Sequence, residues 1–156
     1  EYIIQKATEL GASKIVPLIT ERTVTKSLNL KRFHDIAIEA SEQCERITIP
    51  EILPLQKLYD VIDDWAEKRT IYYGDETMRH DKHSLNNINK STNASCGAVL
   101  VGPEGGFTTK EISYLKQKKF VIPINFGPRI LKSDTAVVTA LVLWHTLNGY
   151  MKNSFY

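Results

Sequence analysis

Apolar positions along this chain change period from helix-like to strand-like and back. From residue 2 to residue 10 they fall at helical spacing, with Ile3, Ile4, Ala7 and Leu10 on one face, and Gly11 supplies a left-handed stop. Lys14 to Thr20 reads as a strand with Ile15, Val16, Leu18 and Ile19 buried, followed by an exposed polar segment. From about Asn29 to Arg46 the spacing predicts a long amphipathic helix with Leu30, Phe33, Ile36, Ala37, Ala40, Cys44 and Ile47 facing inward. Pro50 to Leu53 reads as a short strand, Leu55 to Trp65 as a helical stretch and Arg69 to Tyr73 as a further strand. Periodicity then stops: residues 74 to 96 are polar and predict a long loop.

Beyond that loop two strand–loop–helix units follow each other. Ala98 to Val101 is a continuous apolar run, expected as the central strand of a parallel sheet. Gly102-Pro103-Glu104-Gly105-Gly106 continues neither strand nor helix, because proline lacks the amide donor and glycine admits positive φ. Thr108 with Glu111 forms a capping box, so a helix starts near Thr109 and turns Ile112 and Leu115 inward. Phe120 to Asn125 is the second strand, residues 126 to 131 the second loop, and Ser133 or Asp134 caps a last helix. That helix is apolar on nearly every face from Ala136 to Leu147, which calls for more than one covering surface, one of them a subunit interface.

The first glycine loop by itself is a weak motif: a tight turn with no ligand and an anion site at a helix amino end both fit it. The dinucleotide fingerprint is missing, as no Gly-x-Gly-x-x-Gly or Gly-Lys-Ser/Thr is present. The second loop adds Arg129, which suits an anionic or RNA substrate or pairs with Glu104 or Asp134 for structural reasons. A formal charge of +2 argues against a dominant non-specific nucleic-acid binder, so basic residues that meet RNA have to be clustered or supplied from elsewhere. Arg22 and Lys26 are candidates for phosphate contact, with solvated loop charge as the alternative, and Glu42 and Arg46 are spaced for a surface ion pair. Cys44 and Cys96 form no close pair, which fits a reduced cytosol. His80 and His83 lack a third ligand nearby, and no metal is expected. No apolar stretch is long enough for a bilayer.

Gly-Pro-Glu-Gly-Gly-Phe at 102 to 107, followed by Gly-Pro-Arg-Ile-Leu-Lys-Ser-Asp-Thr-Ala at 127 to 136, resembles the paired signature of the ribosomal RNA uridine-N3 methyltransferases of the RsmE type, in the SPOUT superfamily. Residues 6 to 11, 39 to 44 and 46 to 52 are similar to further motifs of that family, so the resemblance spans almost the whole chain. It implies an α/β fold with a deep trefoil knot, a mostly parallel central sheet flanked by helices, and one methyltransferase domain over residues 1–156. Knots are nearly absent from proteins otherwise, and no pattern argument would reach one. The chain opens on Glu1 already in a helical pattern, so the expectation is a catalytic domain without the PUA-like or OB-like RNA-binding barrel that precedes it in the family.

The resemblance further implies a homodimer through the last helix, a cytoplasmic location, 16S ribosomal RNA of the small subunit as substrate and S-adenosylmethionine held between the two loops. Leu100, Gly102, Pro103, Glu104, Gly105, Gly106, Phe126, Gly127, Ile130, Leu131 and Thr135 are the implied cofactor contacts, and Arg22, Lys26, Glu42, Gln43, Arg46 and Lys132 the implied RNA contacts. Arg129 is the candidate for stabilising a uridinate, and Glu104 and Asp134 for taking its proton. The chain departs from the family pattern at Phe126, where leucine is usual, Lys132 (arginine), Asp134 (glutamate) and Glu45 (glycine). Another SPOUT-type RNA methyltransferase, a non-catalytic dimerisation or binding module on the same knotted fold and a nucleotide-binding enzyme of another fold are the competing readings.

Overall fold

The computed structural model describes residues 1–24, 27–78 and 96–147, and the chain divides into two compact units, the second beginning at Trp65. Lys26, His80 and His83 lie outside the described residues.

The first unit runs α1 (Tyr2–Glu9), β1 (Lys14–Ile15), β2 (Leu18–Ile19), α2 (Leu30–Gln43), β3 (Glu51–Ile52), β4 (Gln56–Lys57) and α3 (Leu58–Asp63). The strand expected over Lys14 to Thr20 is two short ones. Pro17 has no amide to give, so β1 pairs in parallel with β3 and β2 with β4, as separate ladders. Ile15, Val16, Leu18 and Ile19 are half-buried rather than buried. The stretch from Leu55 likewise starts as strand and turns helical only at Leu58.

Both α1 and α2 end in the same motif. In α1 the Gly11 amide donates to Thr8 and that of Ala12 to Ala7, with Gly11 at φ +82°. In α2 the Glu45 amide donates to Glu42 and that of Arg46 to Ser41, but the left-handed position, at φ +57°, holds Glu45. This stop comes earlier than the spacing predicts, and it removes Cys44 and Ile47 from the inward face: both are exposed, Ile47 at 98%, and so is Leu30 at the other end. Ala37, Ala40 and Ser41 form the buried stripe instead.

The second unit holds β5 (Thr70–Gly74), a 3-10 turn at Glu76–Met78, β6 (Gly97–Leu100), α4 (Thr109–Lys116), β7 (Val121–Ile124) and α5 (Ser133–Leu147). Its three strands are all parallel in the order β6-β5-β7, with Tyr72 opposite both Val99 and Ile122. Among the described strands the central one is therefore β5, and β6, expected in the middle, lies at an edge. Burial agrees: Ile71, Tyr72 and Tyr73 are at most 3% exposed, whereas Gly97 to Val99 are half-buried. The connection from β6 through α4 crosses β5 to reach β7, which brings all three carboxyl ends to one edge of the sheet. α5 packs on β5 and β6, burying Ala136, Val137, Ala140, Leu141 and His145.

Candidate active site

Three segments leave the carboxyl edge of this sheet. The first glycine loop follows β6, closed by a hydrogen bond of 2.8 Å from the Gly106 amide to the Pro103 carbonyl, with Gly106 at φ +67°. Gly102 is needed for space: a Cβ there would be 3.1 Å from the Phe107 ring. Phe107 is buried and packs edge-to-face on Tyr73, with centroids 6.2 Å apart, so the loop is anchored to the central strand. The expected capping box then starts α4. Glu111 Oε2 accepts from the Thr108 amide at 2.8 Å, while the Thr108 hydroxyl accepts from the Glu111 amide at 3.2 Å.

The second loop follows β7. Gly127, at φ +107°, donates its amide to Asn125 Oδ1 at 2.8 Å and has no heavy atom within 4 Å of where a Cβ would stand, so this turn borders open space. Phe126 lies over Gly74 at the end of β5, its ring 2.3 Å from a hypothetical Gly74 Cβ. Pro128, Arg129 and Ile130 are exposed, and Leu131 is half-buried.

α5 begins at Ser133, but neither expected cap works as one. The Ser133 hydroxyl reaches the Gly102 carbonyl at 3.2 Å and Glu104 Oε1 at 3.4 Å, while Asp134 Oδ1 accepts from the amide and hydroxyl of Thr135 at 2.6 and 3.2 Å. Ser133 thus ties the two glycine loops together. Glu104 and Arg129 are exposed and Asp134 is half-buried, and neither carboxylate forms an ion pair with Arg129. Among the implied cofactor contacts, Leu100 sits in the core at 7% exposure, Gly105 and Thr135 are exposed, and Pro103 is half-buried at the turn.

The third segment, after β5, was not apparent from periodicity. Asp75 is buried, its carboxylate accepting from Tyr73 Oη at 3.0 Å, the Thr77 amide at 3.0 Å, Thr77 Oγ1 at 2.6 Å and Lys116 Nζ at 3.0 Å. Burial on its own raises this carboxyl, and the hydrogen bonds from Thr77, Lys116 and Tyr73 outweigh it, so Asp75 titrates below its ordinary value. Burial and the adjacent Asp75 charge push the Tyr73 phenol well above the usual range. The exposed Glu76 faces the first glycine loop, its carboxylate oxygens 3.4 and 3.8 Å from a hypothetical Gly106 Cβ.

The candidates for RNA contact in the first unit are placed as follows. Arg22 is exposed in the turn after β2, and Glu42 and Gln43 are exposed at the end of α2. Arg46 is half-buried and donates to the Thr8 carbonyl at 2.8 Å and to Thr48 Oγ1 at 3.2 Å, joining the ends of the two helices. Lys132, in the second unit, is exposed.

A family model described as an RNA methyltransferase domain matches residues 1–145. The chain belongs to that family. Ribosomal RNA small subunit methyltransferase E of Rickettsia conorii is 38% identical over 149 residues, covering 94% of this chain and 59% of the relative. The protein of the same name from Synechocystis is 39% identical, over 90% of this chain and 47% of the relative. This methyltransferase domain thus spans about half to three-fifths of the length of its curated relatives. Among solved structures, ribosomal RNA small subunit methyltransferase E of Neisseria gonorrhoeae, bound to S-adenosyl methionine, superposes with a TM-score of 0.80 at 28% identity, over 94% of this chain and 60% of that one. A probable rRNA-methyltransferase from Porphyromonas gingivalis shares the fold with a TM-score of 0.81 at 24% identity, over 96% of this chain and 62% of that one. The α/β architecture with parallel sheets expected of a SPOUT-type domain is therefore present in this family member.

Proposed function

We propose that this chain is the catalytic domain of an S-adenosylmethionine-dependent methyltransferase acting on N3 of a uridine in 16S ribosomal RNA. The observation that carries the reading is the Ser133 tie, which holds two glycine loops together at the carboxyl edge of a parallel sheet, where ligands of such sheets bind. The loops also fit the cofactor physically. Gly106 and Gly127 give the two loops tight left-handed turns, and no atom of the described residues lies within 4 Å of where a Cβ on Gly127 would stand. Gly102, Pro103, Gly105, Gly106, Phe126, Gly127, Ile130, Leu131 and Thr135 would line the bound molecule, with Leu100 supporting them from the core. When bound, S-adenosylmethionine supplies an activated methyl group, so the protein's task is alignment and control of charge.

N3 of uridine gives up its proton as it attacks. Arg129, exposed beside the positive-φ Gly127, is the group we assign to stabilising the uridinate. Glu104 is assigned as the base in preference to Asp134, because it is the more exposed and accepts one long hydrogen bond, from Ser133 at 3.4 Å, whereas Asp134 accepts two from Thr135 at 2.6 and 3.2 Å. Lys132 and Arg22, with Lys26, Glu42, Gln43 and Arg46, are proposed to meet the RNA. The family reading brings with it a knotted single domain over residues 1–156, a homodimer formed through α5 and a cytoplasmic location. Among the described residues no helix is long and apolar enough to cross a membrane.

The test is methyl transfer from labelled S-adenosylmethionine to small ribosomal subunits that lack the modification, followed by mapping of the labelled nucleotide. Labelled 3-methyluridine in 16S RNA, lost in Arg129→Ala, is the expected result. Label on another base or on 23S RNA would refute the substrate assignment.

A further inference from the structure

We propose that Glu76 is a cofactor contact, accepting hydrogen bonds from the two ribose hydroxyls of the nucleoside. The proposal rests on the cofactor reading above and adds a third wall to the site, from the central strand of the sheet. Parallel strands bring their carboxyl ends to a common edge, so the residues after β5 share that edge with the two glycine loops.

Two features place a carboxylate there deliberately. Asp75 turns inward, and its oxygens hold the Thr77 amide and hydroxyl, the Tyr73 hydroxyl and the Lys116 ammonium. The Met78 amide closes the turn on the Asp75 carbonyl at 3.0 Å. With residues 75 to 78 fixed in this way, Glu76 points out of the turn. It also faces Gly106, the one residue of the first loop with a positive φ, and both of its oxygens stand at similar range, 3.4 and 3.8 Å, from the place where a side chain would begin. A carboxylate that presents both oxygens broadside matches a pair of donors better than a single one. A vicinal diol is such a pair, and Glu76 is exposed, so its oxygens can be reached from solvent beside the first glycine loop. In this arrangement Asp75 is a positioning residue and Glu76 the contact.

The experiment is calorimetric titration of the whole chain, wild type and Glu76→Gln, with S-adenosylmethionine, S-adenosylhomocysteine and methylthioadenosine, the last of which keeps the ribose and lacks the amino-acid end. Expected is a loss of about ten- to hundredfold in affinity, alike for all three ligands. Thermal unfolding of the ligand-free variant should match wild type, since Glu76 is exposed. Unchanged affinity would overturn the proposal. So would a loss confined to the two ligands that carry the amino acid, which would assign the carboxylate to the ammonium. A wild-type chain that binds none of the three would overturn the cofactor reading itself, a result distinct from either.

Discussion

Replacing Asp75 by alanine removes one acceptor from four donors, and the four are not equally exposed. Thr77 is exposed and the Lys116 side chain is 46% exposed, so both can turn to water. Tyr73 is 0% exposed, and its hydroxyl would be left without a partner. Stranding a buried donor costs about 1–3 kcal/mol, and each lost hydrogen bond with solvated partners about 0.5–1.5 kcal/mol at most. The expected loss is therefore about 3 kcal/mol, a large share of the 5–15 kcal/mol typical of a folded domain. Urea denaturation followed by circular dichroism measures it. The same argument fixes the double mutant: Tyr73→Phe together with Asp75→Ala leaves no stranded hydroxyl, so its loss should fall short of the sum of the singles by about 1 kcal/mol or more. Strict additivity, or an Asp75→Ala effect under about 1 kcal/mol, would refute this account of the network. The pH dependence supplies a check of sign. The carboxyl is more acidic in the folded chain than its ordinary 3.8, so its contribution is present above pH 3.8 and lost as pH falls toward the folded value. The acid limb of the stability profile should flatten in Asp75→Ala.

Four further outcomes are expected. Tyr73 holds its proton more tightly folded than unfolded, so stability should fall as pH rises above 10, and Tyr73→Phe should lessen that fall in alkaline denaturation. Glu45→Gly should stabilise the chain by about 0.5–1 kcal/mol, because the left-handed position at the end of α2 costs a non-glycine residue about 1–2 kcal/mol, partly offset by glycine's greater freedom when unfolded; a lowered urea midpoint would count against it. Gly74→Ala should push Phe126 off the end of β5, costing about 1–3 kcal/mol and weakening S-adenosylmethionine binding, both readable by denaturation and calorimetry. Arg129→Ala should lower methyl transfer by about 10²–10³-fold with cofactor affinity nearly unchanged, which single-turnover kinetics can separate.

How much of this was legible in the residues varies with the reach of each interaction. Thr108 and Glu111 are three apart and bond to each other, so the spacing alone located the start of α4. Gly11 ended α1 where expected for the same local reason. The break at Pro17 is also local, but the apolar run on either side of it reads as one strand despite the single missing amide. Strand order was beyond reach: the run at 98 to 101 looks more buried than the Ile71-Tyr72-Tyr73 run, yet the crossover gives β5 the middle place, and nothing in periodicity records a crossover. The two glycine loops could be found because glycine and proline mark turns. Asp75 and Glu76 read only as polar residues after a strand, and their importance arises when three distant strand ends are brought to one edge. Ser133 fitted the pattern of a cap, whereas the hydroxyl serves a carbonyl 31 positions earlier.

The central place of β5 also governs how this unit can be made. Among the described residues no neighbouring strands of this unit can zip as a hairpin, since parallel pairing demands a crossover, and loop-closure entropy must be met before any ladder bond forms. During synthesis, a chain that has emerged only as far as β6 can complete one side of β5. The other side, with the amides of Ile71 and Asp75 that later bond to Phe120 and Ile124, stays open until β7 arrives. A chain that has emerged beyond Leu100 but not as far as Lys119 therefore leaves one apolar edge of β5 open to unwanted pairing.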